Sequence, residues 1–123
     1  YMGRDLNEAL KVAREGLSGV WYQEFGGYFG FWEAFRFPED EAKWPMGKVP
    51  LPRSEWSVER LHRSDNIYAG TESDVRRKMD ELAEQVNPEY VNINNGGDLG
   101  LMPIEDVKAQ VRLFGEKIMP HYR

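Results

Sequence analysis

No cysteine occurs in the 123 residues, which excludes disulfides, thiolate metal ligands and Cys nucleophiles. A cysteine-free chain fits a reducing compartment, so a cytoplasmic setting is expected. No apolar run approaches the roughly 20 residues of a membrane span. The opening stretch YMGRDLNEAL is polar and helical in pattern, unlike a signal peptide. Basic side chains form no stripe: 16 Lys and Arg stand against 21 Asp and Glu, for a net charge of −5. Nucleic-acid binding is driven by basic groups that neutralise phosphates, so no such partner is expected. The two histidines, His62 and His121, lack a second ligand at helical spacing, and no metal site is expected.

Apolar residues make up 41% and charged residues 30%, a globular composition of a length suited to one domain. Leu6, Leu10, Ala13, Leu17 and Val20 or Trp21 recur at spacings of three and four and predict an amphipathic helix over about 5–20. The period runs on through Trp21, Phe25, Tyr28, Trp32 and Phe35. Gly26, Gly27 and Gly30 oppose one straight helix there and predict two pieces with a break near Gly26. This aromatic zone either lines an apolar pocket or supplies packing area.

Residues 36–63 have no consistent period, and Pro38, Pro45, Pro50 and Pro52 interrupt them. A long irregular stretch of this kind predicts a functional lid or a mobile segment. Within it SEWSVERLHRS suggests a short helix capped by Ser54 or Ser57. Farther on, Thr71 and Asp74 have the spacing of a capping box, and Val75, Met79, Leu82 and Val86 make an apolar stripe that predicts a helix over 72–86. Asn87-Pro88 stops it. Residues 66–69 and 89–95 read as short strands. Pro103 opens a last helix to about 118, with Val107, Val111, Phe114 and Ile118 as its buried face.

Strand, helix, strand, helix is the rhythm of a parallel sheet, yet parallel strands are covered on both faces. So little sheet cannot cover itself. With a Tyr ahead of Met2, the chain reads as the end of something larger. Its open faces call for a partner: the remainder of the fold or a second copy of the chain.

The stretches IYAGTESDVRRKMDELAE and EYVNINNGGDLGLMPIEDVKAQVRLFGEKIMPHYR resemble the C-terminal end of the bacterial-luciferase-like, flavin-dependent monooxygenases. The shared features are Gly70-Thr71 opening a helix, a strand over 89–95, the turn at Gly96 and Gly97, and Leu113, Phe114 and Pro120 in the last helix. The resemblance implies an α/β chain built from the C-terminal βα units of a (β/α)8 TIM barrel, mostly helical with one or two short strands. It implies one partial domain: a helical and aromatic segment to residue 35, a lid-like insertion over 36–63, and terminal helix-strand-helix units over 64–123. The first half of such a barrel is missing from this chain.

The activity so implied is oxidation of a small organic substrate by reduced flavin and O2, with FMN or a deazaflavin as cofactor and a flavin reductase as a possible supplier. Asn94, Asn95, Gly96 and Gly97 would sit at the C-terminal end of a barrel strand and line the flavin or substrate pocket. The stretch lacks GxGxxG or Walker spacing, which favours a turn at the functional end over a phosphate loop. Trp44, Trp56 and His62 are the lid or substrate-pocket candidates. Gly70-Thr71 either binds an anion or simply caps its helix. No residue can be assigned a catalytic role. The alternative function is a non-catalytic helical interaction module that self-associates through apolar helix faces.

Overall fold

The computed structural model describes residues 1–16, 21–93 and 102–122. Two compact units form: Tyr1–Gly16 together with Tyr68–Arg123, and Leu17–Ile67. Four α-helices are described, α1 Leu6–Gly16, α2 Val58–Arg63, α3 Glu72–Val86 and α4 Ile104–Lys117.

The first unit contains α1, α3 and α4. Asp5 accepts the Glu8 amide at 2.9 Å, satisfying a free donor of the first turn of α1. Ala9, Leu10 and Ala13 are buried at helical spacing. The Thr71 hydroxyl accepts the Asp74 amide at the start of α3, and Asp74 returns a carboxylate to the Thr71 amide, the capping box that the sequence predicts. Asn87, left-handed at φ 45°, ends α3 ahead of Pro88. Val75 and Met79 of α3 meet Met2 and Ile118 in a core flanked by Tyr68, Leu113 and Phe114. Residues 1–3 run alongside this core. The Gly3 amide donates to the Gly70 carbonyl at 2.8 Å, and the Gln110 amide group brackets Met2, accepting its N–H and donating to its carbonyl.

The second unit buries Tyr22, Phe35, Leu51, Val58, Leu61 and Ile67. A π-helix spans Trp21–Tyr28, and a 3-10 turn follows at Trp32–Phe35. The break between them falls at Gly30, φ +72°, rather than at Gly26. The middle stretch has less regular structure than its flanks but is not bare loop. It forms 3-10 turns at Pro38–Asp40 and Arg53–Glu55 and the helix α2. Ser57 caps α2 by accepting the Arg60 amide at 3.1 Å.

The expected α/β architecture is overturned. Among the described residues there is no strand and no sheet, only an isolated parallel bridge between Met2 and Gly70. These are therefore not βα units of a TIM barrel. The physical reason lies in cover. Alternation marks a strand only where a neighbouring strand takes up its N–H and C=O groups and another layer takes its apolar face. Tyr90 is 82% exposed and Ile93 43%, and residues 90–93 carry no regular structure and pair with no strand among the described residues. Residues 67–69 likewise lead only into the bridge at Gly70.

Candidate interaction surfaces

In the second unit two arginines and their acids are committed to structure. Asp40 is buried within the acidic run PEDEAK. Its carboxylate accepts from Arg60 at 2.6 and 3.2 Å and from the Phe37 amide at 2.9 Å. Arg60 also reaches Glu55 at 2.8 Å and the Phe35 carbonyl at 3.1 Å. The Arg60 guanidinium holds the Asp40 carboxyl below its ordinary range, so the pair stays ionised and serves as a lock, not as an acid or base. Arg36 is similarly engaged, donating to the carbonyls of Trp44 and Val49 and pairing with Glu33. A cavity of about 200 Å³ opens beside it, lined by Glu33, Arg36, Phe37, Pro38, Glu41 and Met46. That is below the ~300 Å³ at which small-molecule pockets begin.

The lid candidates are dispersed. Trp56 is sandwiched, its ring centroid 5.4 Å from both Tyr22 and Trp32, with its indole N–H donating to the Leu51 carbonyl at 3.2 Å. It is a packing residue. Trp44 sits in another turn, with the Lys43 ammonium 5.7 Å from its ring centroid. His62 lies half-buried in α2. Tyr22 is fully buried, donates to the Ser57 carbonyl at 2.9 Å and accepts the Ser57 amide at 3.2 Å. Burial pushes its phenol up to about 12.

The aromatic zone divides in two. Tyr22, Trp32 and Phe35 turn inward with Trp56. Trp21, Phe25, Phe29 and Phe31 instead form a row, with successive centroids 4.3, 5.8 and 5.9 Å apart. Tyr28 stands edge-on to Phe29 at 5.0 Å. Tyr28, Phe29 and Phe31 are all more than half exposed.

In the first unit, the helix start at Gly70-Thr71 holds its own anion. The Asp74 carboxylate takes the Thr71 amide at 2.9 Å and the Thr71 hydroxyl at 2.7 Å, which resolves the choice in favour of the cap. Asn94, Asn95, Gly96 and Gly97 lie outside the described residues. The apolar face of α4 is wider than its buried part. Leu113, Phe114 and Ile118 pack on the core, while Ile104 is 61% and Val111 52% exposed. At 3.6 residues per turn, Ile104, Val111 and Gly115 share a stripe beside the buried one. A Cβ placed on Gly115 would meet nothing within 4 Å.

Among the described residues no group of three or more His, Asp or Glu side chains is placed to hold a metal ion. No helix among them is long and apolar enough to cross a membrane. No protein-family model, curated protein or solved structure matches the chain.

Sequence reading missed the Asp40–Arg60 lock, because an acidic run between prolines has no period to show which carboxylate turns inward. It also assigned Val111 to the buried face of α4. At 100° per residue Val111 falls within 20° of Ile118, which is fully buried, so helical spacing alone does not show that Val111 is exposed.

Proposed function

We propose that the chain is a non-catalytic helical interaction module that self-associates through the open stripe of α4. The observation that carries this reading is the exposure of Ile104 and Val111 on a helix whose adjacent face already packs a core. A second copy suits the stripe better than an unrelated partner does. Glu105 and Asp106 lie in the first turn of α4 and Lys117 in the last, so antiparallel pairing of two copies sets acids against bases. Gly115, with open space at its Cβ position, lets the two backbones approach closely. Fully burying an aliphatic side chain of this size contributes roughly 1.5–3 kcal/mol. Two from each copy supply enough to offset part of the cost of association.

Sedimentation at low micromolar concentration tests the reading. The wild-type chain is expected to sediment as a dimer. Val111→Asp is expected to be a monomer with unchanged helicity, since Val111 is outside the core. A wild-type monomer, or a dimer indifferent to Val111→Asp, contradicts the proposal.

The flavin-dependent monooxygenase reading keeps only its sequence motifs as support. The barrel strands whose ends would hold FMN or a deazaflavin are not among the described residues, and neither a flavin nor a reductase has a surface assigned to it. The setting that goes with the module is cytoplasmic, in keeping with the cysteine-free sequence.

A further inference from the structure

The exposed row of rings in the second unit has a geometric cause and an electrostatic setting. A π-helix of eight residues is rare, and π-helical turns recur at functional sites. Here the wider winding is fixed by the Phe29 amide donating to the Glu24 carbonyl at 2.9 Å and the Phe31 amide donating to the Phe25 carbonyl at 2.7 Å. It brings Trp21, Phe25 and Phe29, four residues apart, nearly into line, and Phe31 continues the row. Phe29 and Phe31 are more than half exposed, and Trp21 and Phe25 are half-buried behind them.

Three rings elsewhere in the second unit, Trp56, Phe37 and Trp44, have cations close to their faces. Arg53 lies 5.3 Å from the Trp56 centroid, Arg60 and Arg63 lie 5.1 and 3.8 Å from Phe37, and Lys43 lies 5.7 Å from Trp44. No such cation stands over Trp21, Phe25, Phe29 or Phe31 among the described residues. Residues 21–35 contain Glu24 and Glu33 and no Lys or Arg. Glu33 is paired with Arg36 at 3.0 Å, whereas Glu24 projects from the π-helix into solvent.

We infer that the row Trp21–Phe25–Phe29–Phe31, with Glu24 beside it, is a docking surface for an arginine-bearing basic peptide segment of a partner protein. Ring faces carry negative potential and attract guanidinium groups, and exposed Glu24, the chain neighbour of Phe25, adds a carboxylate. This surface is separate from the α4 stripe and does not depend on self-association.

The test is fluorescence anisotropy of a labelled hexa-arginine peptide titrated with the full chain at physiological salt. Hexaglutamate and phosphatidylcholine vesicles serve as comparison probes. Hexa-arginine is expected to bind and hexaglutamate not to. Phe29→Leu/Phe31→Leu keeps apolar bulk and removes two rings, and is expected to weaken binding about tenfold. Glu24→Gln is expected to weaken it about threefold. If circular dichroism shows that the double variant loses the fold, the single exchanges Phe29→Leu and Phe31→Leu, each about threefold weaker, carry the test. Equal hexa-arginine affinity in wild type and ring variants would reduce the effect to bulk charge and overturn the inference. Absence of hexa-arginine binding, or capture of neutral vesicles in its place, would overturn it too.

Discussion

Arg60 Nη1 lies 2.6 Å from Asp40 Oδ2, twenty residues away in sequence, and the two side chains are only 10% and 6% exposed. Removing one member of a buried pair leaves the other charged and unsolvated, so Arg60→Ala is expected to destabilise the second unit by about 3 kcal/mol. Chemical denaturation measures this, and a double-mutant cycle with Asp40→Asn separates the coupling from lost packing. A change below about 0.5 kcal/mol would mean that the pair contributes no more than a surface bridge.

The same pair sets an acid limit. Arg60 lowers the Asp40 pKa in the folded chain. The stability it contributes is therefore fully present above the unfolded value of about 3.9 and is lost as pH falls through the lower folded value. Acid titration followed by circular dichroism should show this loss below about pH 4 in the wild type. In Asp40→Asn the corresponding step should be missing.

Gly70 should resist substitution far more than Gly47. Gly70 has φ +144°, and an added Cβ would fall 2.7 Å from Asp74 Cβ, which the capping box holds in place. Gly47 has φ +71° with nothing within 4 Å. Gly47→Ala is expected to cost about 1 kcal/mol from backbone conformation alone. Gly70→Ala is expected to cost about 3 kcal/mol, because the clash adds to the strain. Similar losses in thermal or denaturant melts would show that α3 can shift its first turn freely.

The parts that sequence reading recovered are those written in local chemistry. Thr71 and Asp74 specify the start of α3, and Asn87-Pro88 specifies its end. Neither signal depends on what the helix touches, and the observed span Glu72–Val86 is the expected one. The last helix was nearly as legible, at Ile104–Lys117. The failure came where local pattern needs a distant partner. Tyr90, Val91 and Ile93 have strand propensity, but propensity describes fit to a sheet, and no sheet forms among the described residues. Which rings of the aromatic zone turn inward was equally hidden. Tyr22 and Trp32 are chosen by Trp56, more than twenty residues away. Of the candidate site residues, half-buried Trp56 stacks with Tyr22 and Trp32, and the inward turn of Asp40 was masked by the acids around it.

Tyr22 and Tyr122 should be the last phenols to ionise. Burial raises both to about 12, and the Asp80 carboxylate, accepting from Tyr122 at 2.6 Å, adds to the shift there. A raised phenol stabilises the fold fully below its unfolded pKa of about 10, and that contribution is lost as pH rises toward the folded value. Absorbance titration of the six tyrosines should therefore show a late phase that coincides with unfolding. Tyr22→Phe should shrink that phase and cost about 1–2 kcal/mol at neutral pH, since it leaves the Ser57 amide without its partner and the Ser57 carbonyl with only the Leu61 amide. A single early phase containing all six phenols would contradict the burial of Tyr22.

Two adjacent glycines offer a sharper test of how the π-helix is held. A Cβ on Gly26 would lie 2.8 Å from the Trp32 ring. That ring cannot easily yield, because Trp56 stacks on it at 5.4 Å and Phe35 meets it edge-on at 6.3 Å. A Cβ on Gly27 would meet only the Tyr22 carbonyl at 3.8 Å, an ordinary contact. Overpacking a filled site costs typically 1–3 kcal/mol, whereas Gly→Ala in an unstrained helical position gains up to about 1 kcal/mol. Gly26→Ala is thus expected to destabilise the second unit and to change the near-ultraviolet signal of Trp32 and Trp56. Gly27→Ala should leave both intact or raise stability slightly. The contrast follows from the inward and outward division of the rings: Gly26 is the floor on which Trp32 rests, and Gly27 is not. If the two variants melt alike, Trp32 is free to move away from Gly26, and the packing that turns Phe29 and Phe31 outward is looser than the ring contacts imply.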